Sequence, residues 1–334
     1  MPFALESSAK WQFRVDFRAN TRAGRRGGSH TGKGRRMGAS GDIRLVNVDG
    51  SSVDAFLEYA TEYGPLHDDS YVSRDELAGF DPAFEPAVIA HDAAGAAVGA
   101  ASVMVNGYET EGLARFRVLH AADPAAYVPM LDALLGRLPA RVTRPFVFLP
   151  ENPGPLRDVL SGAGFVESRR SYVLLHASPA TASEPVLPAE TTIEHVLSSA
   201  GVDWAHVVNA AFHGEPGRYV MTAERARELL AREAIIREGT LLACRAGTPA
   251  GVVMTVSEPY AAYCAEIETL AVVPGEQHVG LGRALLHAAL RAVGASGCSS
   301  AMLSVSATNK RALALYLDAG FKVTDVRVCW ERLV

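Results

Sequence analysis

The tripeptide Ala-Gly-Phe occurs twice in this chain of 334 residues, as Ala163-Gly164-Phe165 and as Ala319-Gly320-Phe321, 156 residues apart. Each copy closes a helix-like run, with glycine at the C-terminal stop where left-handed backbone is favoured, and each opens a strand-like run. Each of those helices follows an apolar strand and an asparagine, Asn152 or Asn309. One tripeptide alone would be a coincidence, but the elements upstream follow the same order in both halves, which predicts a duplicated domain.

Hydrophobic periodicity gives the first half strands over 43–48, 87–90, 97–106, 114–120, 144–149 and 165–176, with helices over 52–63, 126–138 and 155–163. The second half reads as strands over 192–197, 240–245, 250–257, 263–273 and 301–306 and a final strand pair over 321–333. Its helices fall over 203–212, 223–237, 281–293 and 310–319. The fold class is α/β (α+β), with two tandem domains at 42–176 and 191–334. A linker at 177–190, with three prolines and many small residues, joins them.

Charge is uneven along the chain. Residues 1–41 hold nine Lys/Arg against Glu6 and Asp16, and the Gly/Arg/Ser-rich part of this tail has no apolar periodicity, so it is expected to be disordered. A nucleic-acid or membrane arm and an organelle transit peptide are the alternative readings of such a segment. Removing the tail from the totals of 32 basic and 37 acidic residues leaves 23 and 35, an acidic body that suits nucleic acid poorly. No apolar run approaches the roughly 18 residues of a membrane helix and no signal-peptide pattern opens the chain, so a cytoplasmic protein is expected. Cys244, Cys264, Cys298 and Cys329 lack C-x-x-C spacing and read as free thiols, and the ten histidines form no H-E-x-x-H pair, so no metal is expected.

The stretch from Glu266 to Leu286 reads as a strand ending at Pro274, a tight loop and the start of a helix. Two close glycines at a helix mouth, Gly280 and Gly282, let the backbone approach a pyrophosphate, and free N–H groups face it. A dinucleotide fingerprint would need a third glycine at Leu285, and a Walker loop a closing Gly-Lys-Ser/Thr; both are absent. The candidate cofactor-binding loop is Gln277, His278, Val279, Gly280, Leu281, Gly282 and Arg283. Gln277 stands open between a phosphate donor and a solvated amide, and Arg283 between a phosphate contact and an exposed helix arginine. Glu266 and Glu268 share a strand face by two-residue alternation, either as reactive carboxylates or as a solvated edge.

The pattern Gln277-x-x-Gly280-x-Gly282, followed by Asn309-Lys-Arg-Ala312-Leu-Ala-Leu-Tyr316-Leu-Asp-Ala-Gly320-Phe321, resembles the two signatures of the GNAT superfamily of acyl-CoA-dependent N-acyltransferases, over residues 191–334. The resemblance implies two tandem GNAT-like domains, each a mixed, mostly antiparallel twisted sheet flanked by helices, in a layout similar to that of the mycothiol synthases. It implies acetyl-CoA as cosubstrate, Glu266 as general base with Glu268 in reserve, and a backbone N–H among Leu270, Ala271 and Val272 as the oxyanion donor. Tyr316 matches the general acid, although the stripe Ala312, Leu315, Tyr316 and Ala319 equally describes a core tyrosine. Asn309 is expected to cap its helix, bond the cofactor, or both.

The first copy has Ala125-Ala-Tyr-Val-Pro129-Met130 where the loop should be and Val159 or Leu160 where Tyr316 should be. One active site per chain is therefore expected, with the first copy shaping the acceptor pocket. The acceptor, a small amine or peptide, is assigned to the loop His213–Tyr219, where Glu215 would suit a cation and Arg218 a carboxylate. The implied activity is acetyl transfer to a primary amine by direct attack in a ternary complex, from a monomer or homodimer. The alternative is a non-catalytic acyl-CoA-binding or regulatory protein.

Overall fold

The computed structural model describes residues 43–63, 80–105, 112–213, 220–257 and 263–333. The basic tail and the acceptor-loop positions Glu215 and Arg218 lie outside the described residues. The described residues form two compact units, one running to Glu167 and including Trp330–Leu333, the other Ser168–Cys329.

In the first unit β1 (Arg44–Asn47) is followed by helix α1 (Val53–Tyr63), β2 (Ala87–His91), β3 (Ala97–Met104) and β4 (Leu113–Ala121). Helix α2 (Tyr127–Leu135), β5 (Arg144–Pro150) and helix α3 (Leu156–Gly162) complete it. The strands lie in sequence order, antiparallel from β1 to β4, with β5 parallel to β4. Phe56, Tyr59 and Ala60 of α1 pack over Ile89, Ala100 and Val118. The chain end closes this unit: Arg332 N–H donates to Pro145 O at 3.1 Å, and Arg144 pairs with Glu331 at 2.5 Å.

The second unit begins with β6 (Val166–His176) from Ser168 onward and continues through β7 (Thr191–His195), helices α4 (Gly201–Ala211) and α5 (Ala223–Leu230), β8 (Leu241–Arg245), β9 (Thr248–Ser257) and β10 (Cys264–Val272). Helix α6 (Leu281–Ala295), β11 (Ser300–Ser306), helix α7 (Lys310–Asp318) and β12 (Lys322–Glu331) follow. Its strand order is β7-β8-β9-β10-β11-β6-β12. β6 therefore pairs antiparallel with β11, from Ser171 opposite Ser306 to His176 opposite Ala301. The expected boundary at residue 176 differs from this division because the ladder of β6 is made with β11.

β9 shows why the helices flank the sheet. Val252, Val253 and Met254 are all buried because Val253 faces the α6 core while Val252 and Met254 face the α4 and α5 core. Helix α6 forms from good helix formers with a stripe of Leu281, Leu285, Ala289 and Leu290 on the sheet.

Two expected elements differ. The final strand pair is one continuous strand, β12, whose sequence holds no glycine, proline or asparagine to reverse it. The helix expected over 223–237 stops at Leu230: the Arg232 Nε donates to Leu229 O (3.3 Å), and Ile235 leaves to bridge Val256. None of the four cysteines is in a disulfide; Cys264 and Cys329 are buried and the other two half-buried. Among the described residues no helix is long and apolar enough to cross a membrane.

The segment expected as a linker is seated on α6. Arg291 donates to Ala182 O at 3.2 Å and pairs with Glu184 at 2.5 Å, while Ala182 is buried. A Cβ on Gly294 would stand 2.4 Å from the Ala180 nitrogen, which is backbone and cannot swing aside. Alanine would favour the helix by about 0.5–1 kcal/mol, but the overpacking costs about 1–3 kcal/mol. Thermal denaturation should therefore show Gly294→Ala less stable than wild type; equal or greater stability would mean that residues 179–181 do not rest there.

Candidate active site

The site grows from the way β10 parts from β11. The two strands pair in parallel only at Cys264/Ser300, Ala265/Ala301 and Glu266/Met302. On its other edge β10 stays paired with β9 as far as Val272 opposite Gly251. Its register shifts between Ile267 and Thr269, which leaves Glu268 as the extra residue of a β-bulge, a feature that bends a strand and sharpens its twist. Glu266 is thus the last residue before the strands part, and it is half-buried.

The bulge corrects the alternation expected for this strand. Simple alternation would put residues 266, 268, 270 and 272 on one face. Instead Leu270 and Val272 join Ile267 in the α6 core, whereas Val256 opposite Glu266 and Met254 opposite Thr269 belong to the α4 and α5 core. Glu268 still reaches that second side, by pairing with Arg232 at 2.6 Å; its side chain is only 5% exposed. The Arg232 guanidinium is also held against the Met254 sulfur at 3.8 Å.

Backbone direction follows from two bonds. Val272 O accepts from the Gln277 Nε2 at 3.0 Å, while Val273 N–H donates to Ala250 O of β9 at 2.9 Å. Alternation then turns the backbone groups of Leu270 and Val272 to the open edge and those of Ala271 toward β9.

The loop beyond is held at several points. Glu276 pairs with Arg245 at the end of β8, and Gln277 bridges Val272 O and the Arg311 guanidinium, whose bond to its Oε1 is 2.8 Å. Gln277 therefore acts first as a brace for the loop. His278 and Gly280 lie in the left-handed region at φ 68° and 95°. Ala284 N–H is bonded to Gly280 O (3.0 Å), so the N–H groups of Leu281, Gly282 and Arg283, one turn earlier, lack intrahelical acceptors and stand at the positive end of α6.

Gly280 is explained by its backbone angle. Gly282 is not: a Cβ there would make ordinary contacts of 3.6 Å with Val272 and 3.8 Å with Leu315. Its missing side chain leaves a small recess beside the donors, which fits close approach by a ligand. Arg283 sits in an exposed pair with Asp318 at 3.0 Å, and Val279 is exposed. The cation at the loop is Arg311, which the sequence reading missed although it belongs to the Asn309-Lys-Arg run.

On α7, Asn309 accepts from Ala312 N–H at 3.0 Å and caps the helix. Tyr316 is buried, its ring set edge-on to Phe321 at 6.0 Å. Its hydroxyl makes no hydrogen bond among the described residues, yet it is not sealed from solvent. Burial pushes the phenol up to about 12, so it holds its proton at neutral pH. Among the described residues no three His, Cys, Asp or Glu side chains gather as metal ligands.

The first unit repeats the frame with other chemistry. β4 and β5 also pair at three positions only, Leu113/Arg144, Ala114/Pro145 and Arg115/Phe146, and the β4 register also slips, at Arg117. Arg115 and Arg117 thus occupy the places of Glu266 and Glu268. The bulge pair is reversed in sign: Arg117 bonds Glu85 at 2.8 Å with both side chains 4% exposed. Burial lifts the Glu85 carboxyl even against the pull of that arginine. At the following turn the Asp123 carboxylate accepts the Ala125 N–H at 3.0 Å, placing a negative charge just ahead of α2. Beside it, Tyr59 bonds the His120 Nδ1 at 2.9 Å; burial holds His120 below its usual range. Leu160, fully buried, stands on α3 without a hydroxyl.

Comparison with known proteins agrees with this geometry. Residues 205–321 match the Acetyltransferase (GNAT) family. The chain is 34% identical over 138 residues to a mycothiol acetyltransferase of Catenulispora acidiphila, covering 39% of this chain and 44% of that protein. It is 31% identical over 195 residues to one from Acidimicrobium ferrooxidans, covering 56% and 62%. The alignments thus span about half of the length of these curated relatives. Among solved structures, a GCN5-related N-acetyltransferase from Sphaerobacter thermophilus superposes with a TM-score of 0.66 at 19% identity, over 87% of this chain and 95% of that one. A tandem GNAT protein from the clavulanic acid biosynthesis pathway superposes at 0.64 and 14% identity, over 87% and 98%. These two share the fold, and the second is itself a tandem protein.

The placement of Tyr316 is open to a direct check. The neutral phenol is the form that folding favours, so its contribution is whole below about pH 10 and is lost as pH rises through about 12. In an ultraviolet titration, Tyr316→Phe should lack one phenol that ionises near 12 in the wild type. A difference centred near pH 10, where exposed phenols ionise, would contradict the burial described.

Proposed function

We propose that this chain, whose residues 205–321 form a GNAT acetyltransferase domain, is an N-acetyltransferase that moves the acetyl group of acetyl-CoA to a primary amine within a ternary complex. The observation that carries this reading is the parted β10/β11 edge, with a braced donor loop at one end and, on the adjacent helix, a buried tyrosine whose hydroxyl is unbonded. The recess at Gly282 and the N–H groups of residues 281–283 suit the pyrophosphate, with Arg311 adding charge.

The chemistry then divides among this chain's own groups. Glu266, directly or through water, takes the ammonium proton so that the amine nitrogen can attack the thioester carbonyl. The N–H groups of Leu270 and Val272 receive the negative charge that develops on the carbonyl oxygen. As the C–S bond breaks, Tyr316 gives its proton to the departing thiolate; its raised pKa keeps that proton available. Glu268, spoken for by Arg232, is a supporting residue in this scheme. The names of the relatives point to an acceptor of the mycothiol kind, and a small-molecule amine is the proposed class. The first unit lacks the donor loop and a matching tyrosine, so one active site per chain is the proposed arrangement.

Steady-state release of CoA from acetyl-CoA, with a panel of amino sugars, amino acids and cysteine-bearing amines, tests the assignment. Glu266→Gln and Tyr316→Phe should each lower kcat by about 10²–10⁴-fold while acetyl-CoA still binds. Tight acetyl-CoA binding with wild type and both variants equally inert across the panel would favour the non-catalytic binding protein instead.

A further inference from the structure

The pair at the bulge, Arg232 with Glu268, has a role beyond stability. Glu268 is nearly buried, and an unpaired carboxylate there would be strongly unfavourable, so a strand that bulges at this residue needs a cation at this place. Arg232 is suited to supply it. It lies just past the end of α5, its Nε is fixed on Leu229 O at 3.3 Å, and its terminal nitrogen reaches Glu268 at 2.6 Å. The bulge in turn decides which groups face the open edge. A slip of one residue would exchange the faces of everything beyond it and turn the Leu270 and Val272 N–H groups toward β9.

The first unit supplies an internal comparison. It bulges at the equivalent residue with the charges exchanged, Arg117 on the strand and Glu85 off it. The ion pair recurs while its polarity does not, and this separates the bulge's need for a pair from any need for a carboxylate at that position.

We propose that Arg232 is a positioning residue for acetyl transfer: through Glu268 it holds the bulge that presents the Leu270 and Val272 N–H groups to the thioester carbonyl. This rests on the reading of the open edge as the acyl site. It does not rest on Glu266 as base.

Titration calorimetry with two probes, acetyl-CoA and CoA, reads the effect without an acceptor. The wild type should bind acetyl-CoA in preference to CoA, because only the thioester carbonyl uses the edge. Arg232→Gln and Glu268→Gln should keep CoA affinity within about twofold, since the donor loop is untouched, and lose most of the preference for acetyl-CoA. Arg232→Lys should retain part of it. The exchanged double variant, Arg232→Glu with Glu268→Arg, imitates the first unit and should recover it. Loss of CoA and acetyl-CoA affinity in step, an unchanged preference in the single variants, or failure of the folded exchanged variant to recover would each overturn the proposal. A wild type without preference would do so as well. Glu266→Gln should bind both probes like the wild type, so a failure of the base assignment, read by turnover, is distinct from a failure here.

Discussion

The parallel pairing of β10 with β11 ends at Glu266 and Met302, and the backbone edge left beyond that point is the constraint on which the rest of the site depends. Buried backbone groups need partners, so an unpaired stretch of strand in the middle of a sheet is unfavourable unless something occupies it. Here part of the need is met from within: the Gln277 amide takes Val272 O. The same amide, held by Arg311 on its other side, helps set the loop before α6, together with the Glu276–Arg245 pair.

The two units show which parts of this arrangement belong to the fold and which to chemistry. Both have a parallel pair that stops after three residues, and both have a bulge just beyond it stabilised by a buried ion pair. The differences lie in side chains and in the loop 277–280, which has no counterpart between the turn at 124–126 and α2. Arginines replace the two glutamates, an aspartate caps the turn ahead of the helix, and a leucine stands on the following helix where the other unit has Tyr316. A frame of backbone pairing has been kept while the charge it carries was reversed.

Much of this was legible in the sequence, because the helix stops at Gly164 and Gly320, the glycines of the loop and the Asn309 cap are local features with local causes. What was not legible depended on contacts between distant segments. No residue pattern marks Glu268 as a bulge; the register slip shows only once β9 lies beside β10. The end of α5 at Leu230 depends on Arg232 turning to Glu268 and Ile235 joining β9. The proline-rich segment at 177–190 has the composition of a linker, yet the seating of Ala180 against Gly294 follows from the absence of a Cβ on a helix more than a hundred residues away. Gln277 was identified as a polar residue of the loop, but its role as a brace required Val272 and Arg311 to be in place.

The central claim is that one frame of the two holds an acyl-CoA, because only one carries the braced loop 277–280 ahead of its helix. The stoichiometry of acetyl-CoA binding tests this most directly. Titration of the whole chain should saturate at one acetyl-CoA per chain; saturation at two, or no binding at all, would contradict the account.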